Sequence, residues 1–170
     1  DRVIARQAMT HCEKPLVFCC NDFASLRAIY DMAILIVGSE ARFRQAPIIA
    51  QLSSAISPLA YYDDTIEKII FCAEKGIPQI FYSGLQAGGT SPATFAGTVV
   101  QGSAESLSGL VLAQVVRAGA PAVYGAFTTI MDMATAIFSY GAPEMNLMAA
   151  ALAQMAKYYN LKEDINKAVS

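Results

Sequence analysis

The chain has 170 residues, enough for one domain with a substantial core. Hydrophobic residues make up 55% of it and charged residues only 15%, against about 25% charged in an average soluble domain, so much of its helix surface must be covered. Twelve basic and fourteen acidic residues give a net charge of −2, and no basic run exists that could follow a phosphate backbone. We therefore expect no nucleic-acid partner.

Four short apolar runs, rich in β-branched or aromatic residues, predict strands. A polar or glycine-containing turn follows each run, and a longer segment with helical periodicity follows each turn. This alternation is typical of a parallel sheet with crossover helices. The predicted strands are residues 16–20, 47–52, 79–82 and 122–124.

The helices between these strands have recognisable ends. The first begins near Asp22 and ends at Gly38, and the second runs from Asp63 or Asp64 to Gly76. The remaining helices are predicted from the caps and prolines at their ends: residues 90–119, 142–160 and, as the tail of a helix before the first strand, 1–12.

Four βα units predict an α/β fold, a partial (β/α)8 TIM-type barrel with parallel strands, since a complete barrel needs about 250 residues. Residues 1–170 are then a single domain or a fragment of a barrel domain, and the missing initiator methionine suggests a processed product, a crystallised piece or a segment of something longer. A half-barrel has two open parallel edges. Another copy or the rest of the barrel must cover them, so we expect a homo-oligomer.

No membrane span, leader or disulfide is expected. Glutamine and glutamate interrupt the long apolar stretches around 95–116 and 145–156, which favours buried helices of a soluble protein. The N-terminal residues lack the apolar core of a signal peptide. The cysteines form neither a CxxC pair nor a Cys/His cluster, and they are typical of reduced, buried thiols in a cytoplasmic protein. They are Cys12, Cys19, Cys20 and Cys72.

Aromatic side chains follow several of the predicted strands, where a parallel barrel has its active site. Together they could form a cage that binds a quaternary or protonated amine by cation–π attraction. For each ring taken alone, core packing is favoured over ligand contact, except for Tyr82, where neither is favoured. The five rings are Tyr61, Tyr62, Tyr82, Tyr124 and Phe127.

Three polar features have a plain structural explanation beside a functional one. The run 88–90, Gly-Gly-Thr, could bind an anion at a helix N-terminus, but a tight turn is favoured. Glu105 lies in an apolar helix, and we favour a solvated or interface carboxylate over a catalytic one. His11, the only histidine, is predicted to lie on the surface, which excludes a histidine-based triad.

A series of short motifs between about residues 47 and 160 resembles the trimethylamine methyltransferase family, whose members include enzymes for trimethylamine and for glycine betaine. In chain order the motifs are Ser57-Pro58-Leu59, Gly76-Ile77-Pro78, Gly89-Thr90-Ser91-Pro92-Ala93-Thr94-Phe95-Ala96-Gly97, Ala104-Glu105, Leu112-Ala113-Gln114, Gly119-Ala120-Pro121, Tyr124-Gly125, Asp132-Met133 and Gly141-Ala142-Pro143-Glu144. Residues 161–170 diverge from the family and are predicted to form a polar helical tail.

The resemblance implies a methyltransferase, or a fragment of one, that transfers a methyl group from a methylated amine to a corrinoid protein. The chain would bind no cofactor directly, because a separate partner protein presents the corrinoid. The substrate-binding residues are then predicted to be Tyr82, Gln86, Thr90, Phe127 and Asp132, with no metal ligand and no assigned catalytic residue.

Two other functions are open to the same fold. The chain could be a non-catalytic, truncated barrel remnant that binds a partner or self-associates. An unrelated barrel aldolase or lyase would need a lysine or paired carboxylates at a strand end, and no predicted strand ends that way.

Overall fold

The predicted strands form one parallel sheet in the computed structural model, which describes residues 1–161. The bounds of the six strands are β1 (Leu16–Phe18), β2 (Ile49–Ser54), β3 (Gln79–Tyr82), β4 (Gly84–Ala87), β5 (Ala122–Val123) and β6 (Phe127–Ile130). The order in the sheet is β1-β2-β3-β5, and each neighbouring pair is parallel. The mixed α/β class with parallel strands is thereby confirmed, and closure into a barrel stays a prediction.

Two strands were missing from the prediction. β4 follows β3 after Ser83, β6 follows β5 after three residues, and the two strands pair in parallel with each other. The Phe127 amide donates to the Ser83 carbonyl at 2.7 Å, which joins this ribbon to the main sheet. Sequence reasoning assigned β4 to a loop because Gly84 and Gln86 are poor strand formers on their own.

Helices form most of the connections between these strands. Their bounds are α1 (Arg2–His11), α2 (Phe23–Val37), α3 (Glu40–Gln45), α4 (Asp63–Lys75), α5 (Phe95–Val116) and α6 (Pro143–Tyr158). The predicted starts of α2 and α4 are confirmed, whereas α5 begins later than residue 90 because Thr94 is its cap and accepts from the Gly97 amide at 3.2 Å. The short α3 was not predicted. The predicted tail at 161–170 lies, but for its first residue, outside the described residues.

Alternate side chains of β3 lie on opposite faces of the sheet, as a strand requires. Gln79 and Phe81 face the helices, since the Gln79 amide donates to the Ile69 carbonyl of α4 at 3.2 Å and Phe81 packs with Ala113 of α5. Tyr82 therefore lies on the face opposite the helices. The core of the domain is thus the layer between sheet and helices, and the other face is free to form a site.

α5 lies unusually close to the sheet because glycine replaces a side chain at the contact. A Cβ at Gly109 would collide with the ring of Phe81 and would come within 2.8 Å of the Tyr61 hydroxyl oxygen. By length and apolar composition alone, α5 is the one helix in residues 1–161 that could cross a membrane. Its buried face is largely small or polar and includes Gly109 and Glu105, which suits packing against protein.

Two cysteine assignments were wrong. Cys20 and Cys72 are buried, as predicted, but Cys12 and Cys19 are exposed. Cys12 directly follows α1, and Cys19 directly follows β1. His11 is exposed as predicted.

We expect Gly109→Ala to lower the free energy of unfolding of the intact protein by about 1–2 kcal/mol, because overpacking against the fully buried Phe81 exceeds the gain in helix propensity. Denaturant unfolding measures the effect. Gly84→Ala is the matched control, since no atom lies within 4 Å of its added Cβ. Equal stability of the two variants would show that α5 can move away from the sheet at no cost.

Candidate functional site

Four aromatic rings meet where β3 passes into β4 and β5 into β6. Phe127 is central: its ring centroid lies 5.6 Å from that of Tyr82, 5.2 Å from that of Phe138 and 5.4 Å from that of Tyr140. We call these four residues the aromatic cluster. Three of the rings are half-buried, whereas Tyr140 is 74% exposed, so the cluster forms a surface open to solvent on one side.

Two strands, β3 and β6, place the first two rings of the cluster. Tyr82 is the last residue of β3, and Phe127 is the first of β6, opposite Gly84 in the register. Gly84 carries no side chain, and the space where its Cβ would lie is empty. Burial raises the pKa of Tyr82 above its ordinary value, which keeps its phenol neutral at physiological pH.

The other two rings lie on the loop between β6 and α6. This loop is tied back to β6, since the Thr129 hydroxyl donates to the Ser139 carbonyl at 2.7 Å and the Ser139 amide donates to the Ile130 carbonyl at 3.2 Å. Phe138 and Tyr140 flank Ser139 on either side. Their spacing of two residues was the signal that sequence reasoning missed, because alternate residues of an extended segment point the same way.

The predicted residues Gln86 and Thr90 lie at the end of β4, where they form a tight turn. Three successive amides, from Gly89 to Ser91, all donate to the Gln86 carbonyl at 2.9–3.1 Å, and the Thr90 hydroxyl accepts from the Gln86 amide at 3.0 Å. These amides are therefore engaged within the turn. The tight-turn interpretation of residues 88–90 is confirmed, and α5 does not begin until Phe95.

Asp132, the last predicted substrate-binding residue, is exposed in the loop after β6. Its carboxylate accepts from the Ala134 amide at 2.8 Å and from the Thr135 amide at 3.3 Å. These contacts make it a turn residue of the loop that carries Phe138. A role in binding substrate stays a prediction for Asp132, as it does for Gln86 and Thr90.

Only two of the five rings predicted to form a cage lie together, namely Tyr82 and Phe127. Tyr61 faces α5 instead and donates its hydroxyl to the Glu105 carbonyl at 2.8 Å. The Tyr124 hydroxyl lies 2.6 Å from the Ser103 hydroxyl, also on α5. Tyr62 is exposed at the start of α4. Packing, the alternative favoured for each ring taken alone, is confirmed for Tyr61 and Tyr124, because the turns after β2 and β5 direct them away from the cluster and towards α5. Tyr62 belongs neither to the cluster nor to the core.

A separate cavity of about 280 Å³ lies at the carboxyl ends of β1 and β2. Lys68 is buried in its wall, where the ammonium donates to the Cys20 carbonyl at 2.9 Å and pairs with Asp64 at 2.8 Å. Burial raises the pKa of the Cys20 thiol to about 11, so this thiol is protonated and a poor nucleophile at neutral pH. The hydroxyl of buried Ser53 has no hydrogen-bond partner among residues 1–161.

Glu105 is fully buried, contrary to the predicted solvated or interface position. Its carboxylate accepts from the Ser57 hydroxyl at 2.8 Å, from the Leu59 amide at 3.0 Å and from the Gln101 side-chain amide at 3.0 Å. Both neighbouring serines, Ser103 and Ser106, are buried too. The polar stripe in an apolar helix was the available signal: it faces the sheet and its loops and not the solvent.

No cluster of three or more His, Cys, Asp and Glu side chains in the described part of the chain could hold a metal ion.

Comparison with known proteins places the chain beside one family. Residues 2–163 match the family model described as trimethylamine methyltransferase (MTTB). The chain is 37% identical over 137 residues to a trimethylamine methyltransferase of Desulfitobacterium hafniense. The match covers 81% of this chain and 28% of that relative. A glycine betaine methyltransferase from the same species is 33% identical, and the match covers 77% of this chain and 27% of that relative. A trimethylamine methyltransferase of Methanosarcina barkeri is 40% identical, and the match covers 73% of this chain and 25% of that relative.

These comparisons extend the resemblance and limit it. The match reaches back through α1 and β1 to residue 2, beyond the motifs after residue 47. The chain spans about a quarter of the length of the curated relatives it matches. The residues described above therefore correspond to only part of such a relative.

We expect Asp64→Asn to destabilise the protein at neutral pH and to have little effect in acid. Hydrogen bonds from Lys68 and from the Phe23 amide hold the pKa of the Asp64 carboxyl below its ordinary value. Because the pKa is lower in the folded chain, the stabilisation is complete above the unfolded pKa of about 4 and is lost as pH falls through the folded pKa. Unfolding measured from pH 7 to pH 2 tests this. A variant difference that stays constant over that range would contradict it.

Proposed function

Because the chain belongs to the trimethylamine methyltransferase family, we propose that the intact protein transfers a methyl group from a methylated amine to a corrinoid protein. The observation that carries this proposal is the aromatic cluster, which lies where β3 passes into β4 and β5 into β6. We further infer that the protein works in the cytoplasm, since all four cysteines are free thiols.

The aromatic cluster suits a cation that offers no strong hydrogen bond. A quaternary ammonium has no N–H group, so recognition depends on ring faces within about 6 Å of the charge. Phe127 has a ring neighbour in each of Tyr82, Phe138 and Tyr140, and the empty space at Gly84 lies beside it in the register. Exposed Tyr140 offers an accessible face. The neutral phenol of Tyr82 adds a polar group without a competing charge.

The chemistry of the transfer needs little from acid–base groups. The carbon–nitrogen bond breaks, the nitrogen keeps the bonding electron pair, and the methyl group passes to the acceptor, so no proton moves when the donor is a quaternary amine. A reduced corrinoid, presented by its own protein, would supply the nucleophilic cobalt. The residues of this chain orient the amine and exclude water, which are the effects that matter most in such a displacement.

The variants Tyr82→Ala and Phe127→Leu test the proposal. We expect each to lower kcat/KM for trimethylamine or glycine betaine by about three- to thirtyfold, the range of one lost cation–π contact, when the intact protein is assayed with a reduced corrinoid protein. Tyr158→Ala is the matched control, because Tyr158 is 79% exposed at the end of α6. An intact wild-type protein that demethylates neither amine would refute the proposed function.

Exposed apolar side chains favour a second candidate, a non-catalytic piece that self-associates. Val100, Val111 and Val115 of α5 are 55–77% exposed, as is Leu147 of α6 at 62%. Either the rest of a longer polypeptide or a second copy would cover these faces.

Sedimentation of the 170-residue chain alone separates these two candidates. If the chain self-associates through these faces, it sediments as a dimer or larger species, and Val111→Glu with Val115→Glu shifts it to the monomer. Ala104→Glu, at an exposed position elsewhere on α5, is the control. A wild-type chain that stays monomeric at micromolar concentration contradicts self-association.

A further inference from the structure

We propose that Glu105 is a positioning residue that holds the loop after β2 and the turn after β4 in one fixed arrangement. The proposal rests on the proposed function for its effect on catalysis, but its structural part stands without it. Glu105 lies on α5, behind the sheet, and its side-chain hydrogen bonds within residues 1–161 go to Ser57, Leu59 and Gln101, none of which belongs to the aromatic cluster. Its influence on the site must pass through the segments that it holds.

The first segment is residues 55–62, the loop after β2. Glu105 accepts from the Ser57 hydroxyl and the Leu59 amide, while its own carbonyl accepts from the Tyr61 hydroxyl. One residue of α5 thus contacts three positions of an eight-residue loop. Ala55, Ile56 and Tyr62 of the same loop line the cavity at the ends of β1 and β2. The carboxylate therefore sets the shape of that wall.

Leu59 shows that this loop depends on Glu105 for its conformation. Its φ of 53° lies in the left-handed region, which costs a residue with a side chain about 1 kcal/mol or more. Its side chain is 65% exposed, so burial of the leucine does not offset this cost. The bond from the Leu59 amide to the buried carboxylate does, because a hydrogen bond to a charged group is stronger than a neutral one.

The second segment is the turn after β4, reached through Gln101. Its side-chain amide donates one hydrogen to Glu105 at 3.0 Å and one to the Thr90 carbonyl at 3.1 Å. The Thr90 hydroxyl in turn accepts from the amide of Gln86, which lies within β4. Glu105 therefore links the loop after β2 to the strand that follows Tyr82 in the chain. Loss of this link would let the loop after β2 and the turn after β4 move independently.

Glutamine at position 105 separates positioning from charge. A glutamine oxygen can still accept from Leu59 and Gln101, and its NH2 group can donate to Ser57, since a hydroxyl both donates and accepts. Glu105→Gln therefore keeps the three contacts without the negative charge. Glu105→Ala removes all of them and leaves the Leu59 amide without its partner.

The experiment compares the intact wild-type protein with Glu105→Gln, Glu105→Ala and Leu110→Ala. Leu110 packs against the core one turn along α5, so the last variant controls for general loosening of the helix. We expect amide hydrogen exchange in residues 55–62 and 86–91 to quicken about tenfold in Glu105→Ala only. We also expect kcat/KM for the methylated amine to fall about tenfold in that variant, mainly through KM, and by less than about threefold in Glu105→Gln.

Two results would overturn the proposal. Exchange in Glu105→Ala no faster than in Leu110→Ala would show that the carboxylate does not hold these segments. Loss of activity in Glu105→Gln as large as in Glu105→Ala would show that its charge matters and not its position. A wild-type protein without methyltransferase activity would instead refute the proposed function, and hydrogen exchange would still decide the role of Glu105.

Discussion

The structure depends on the close approach of α5 to the sheet. Gly109 allows the helix backbone to lie against the ring of Phe81, and this contact brings Glu105, one turn earlier, within reach of the loop after β2. A larger residue at position 109 would lift the helix and would break hydrogen bonds to a buried carboxylate. Packing density at one point therefore determines whether a charged group elsewhere is satisfied.

This arrangement separates the buried polar groups of α5 from the aromatic cluster. Ser103, Glu105 and Ser106 on α5 are buried and face the sheet and its loops, where Glu105 and Ser106 accept from backbone amides. The aromatic cluster lies on other segments and carries no charged side chain. Such a division is what a site for a methylated cation requires, because a water-filled polar pocket would compete with ring faces for the ligand. The buried carboxylate bonds to the loop after β2 and to Gln101, outside the aromatic cluster.

The sequence predicted the parts of the fold that local patterns determine. The four strands of the main sheet and the caps of α2 at Asp22 and Gly38 follow from short-range signals, and the structure confirms them. β4 and β6 were not predicted because each forms as the partner of the other. No residue within β4 carries that information, since strand preference reflects neighbours more than the segment itself.

The site was harder to predict, for the same physical reason. Tyr82 and Phe127 were identified by their place at strand ends, and they lie together. Tyr61 and Tyr124 satisfy the same rule, yet their hydroxyls bond to α5. The direction of each ring depends on how far the preceding strand continues before it turns. β3 runs on into β4, so Tyr82 stays in a strand, whereas β2 gives way to a loop held by Glu105. A rule based on strand ends therefore requires the tertiary contacts that it is meant to predict.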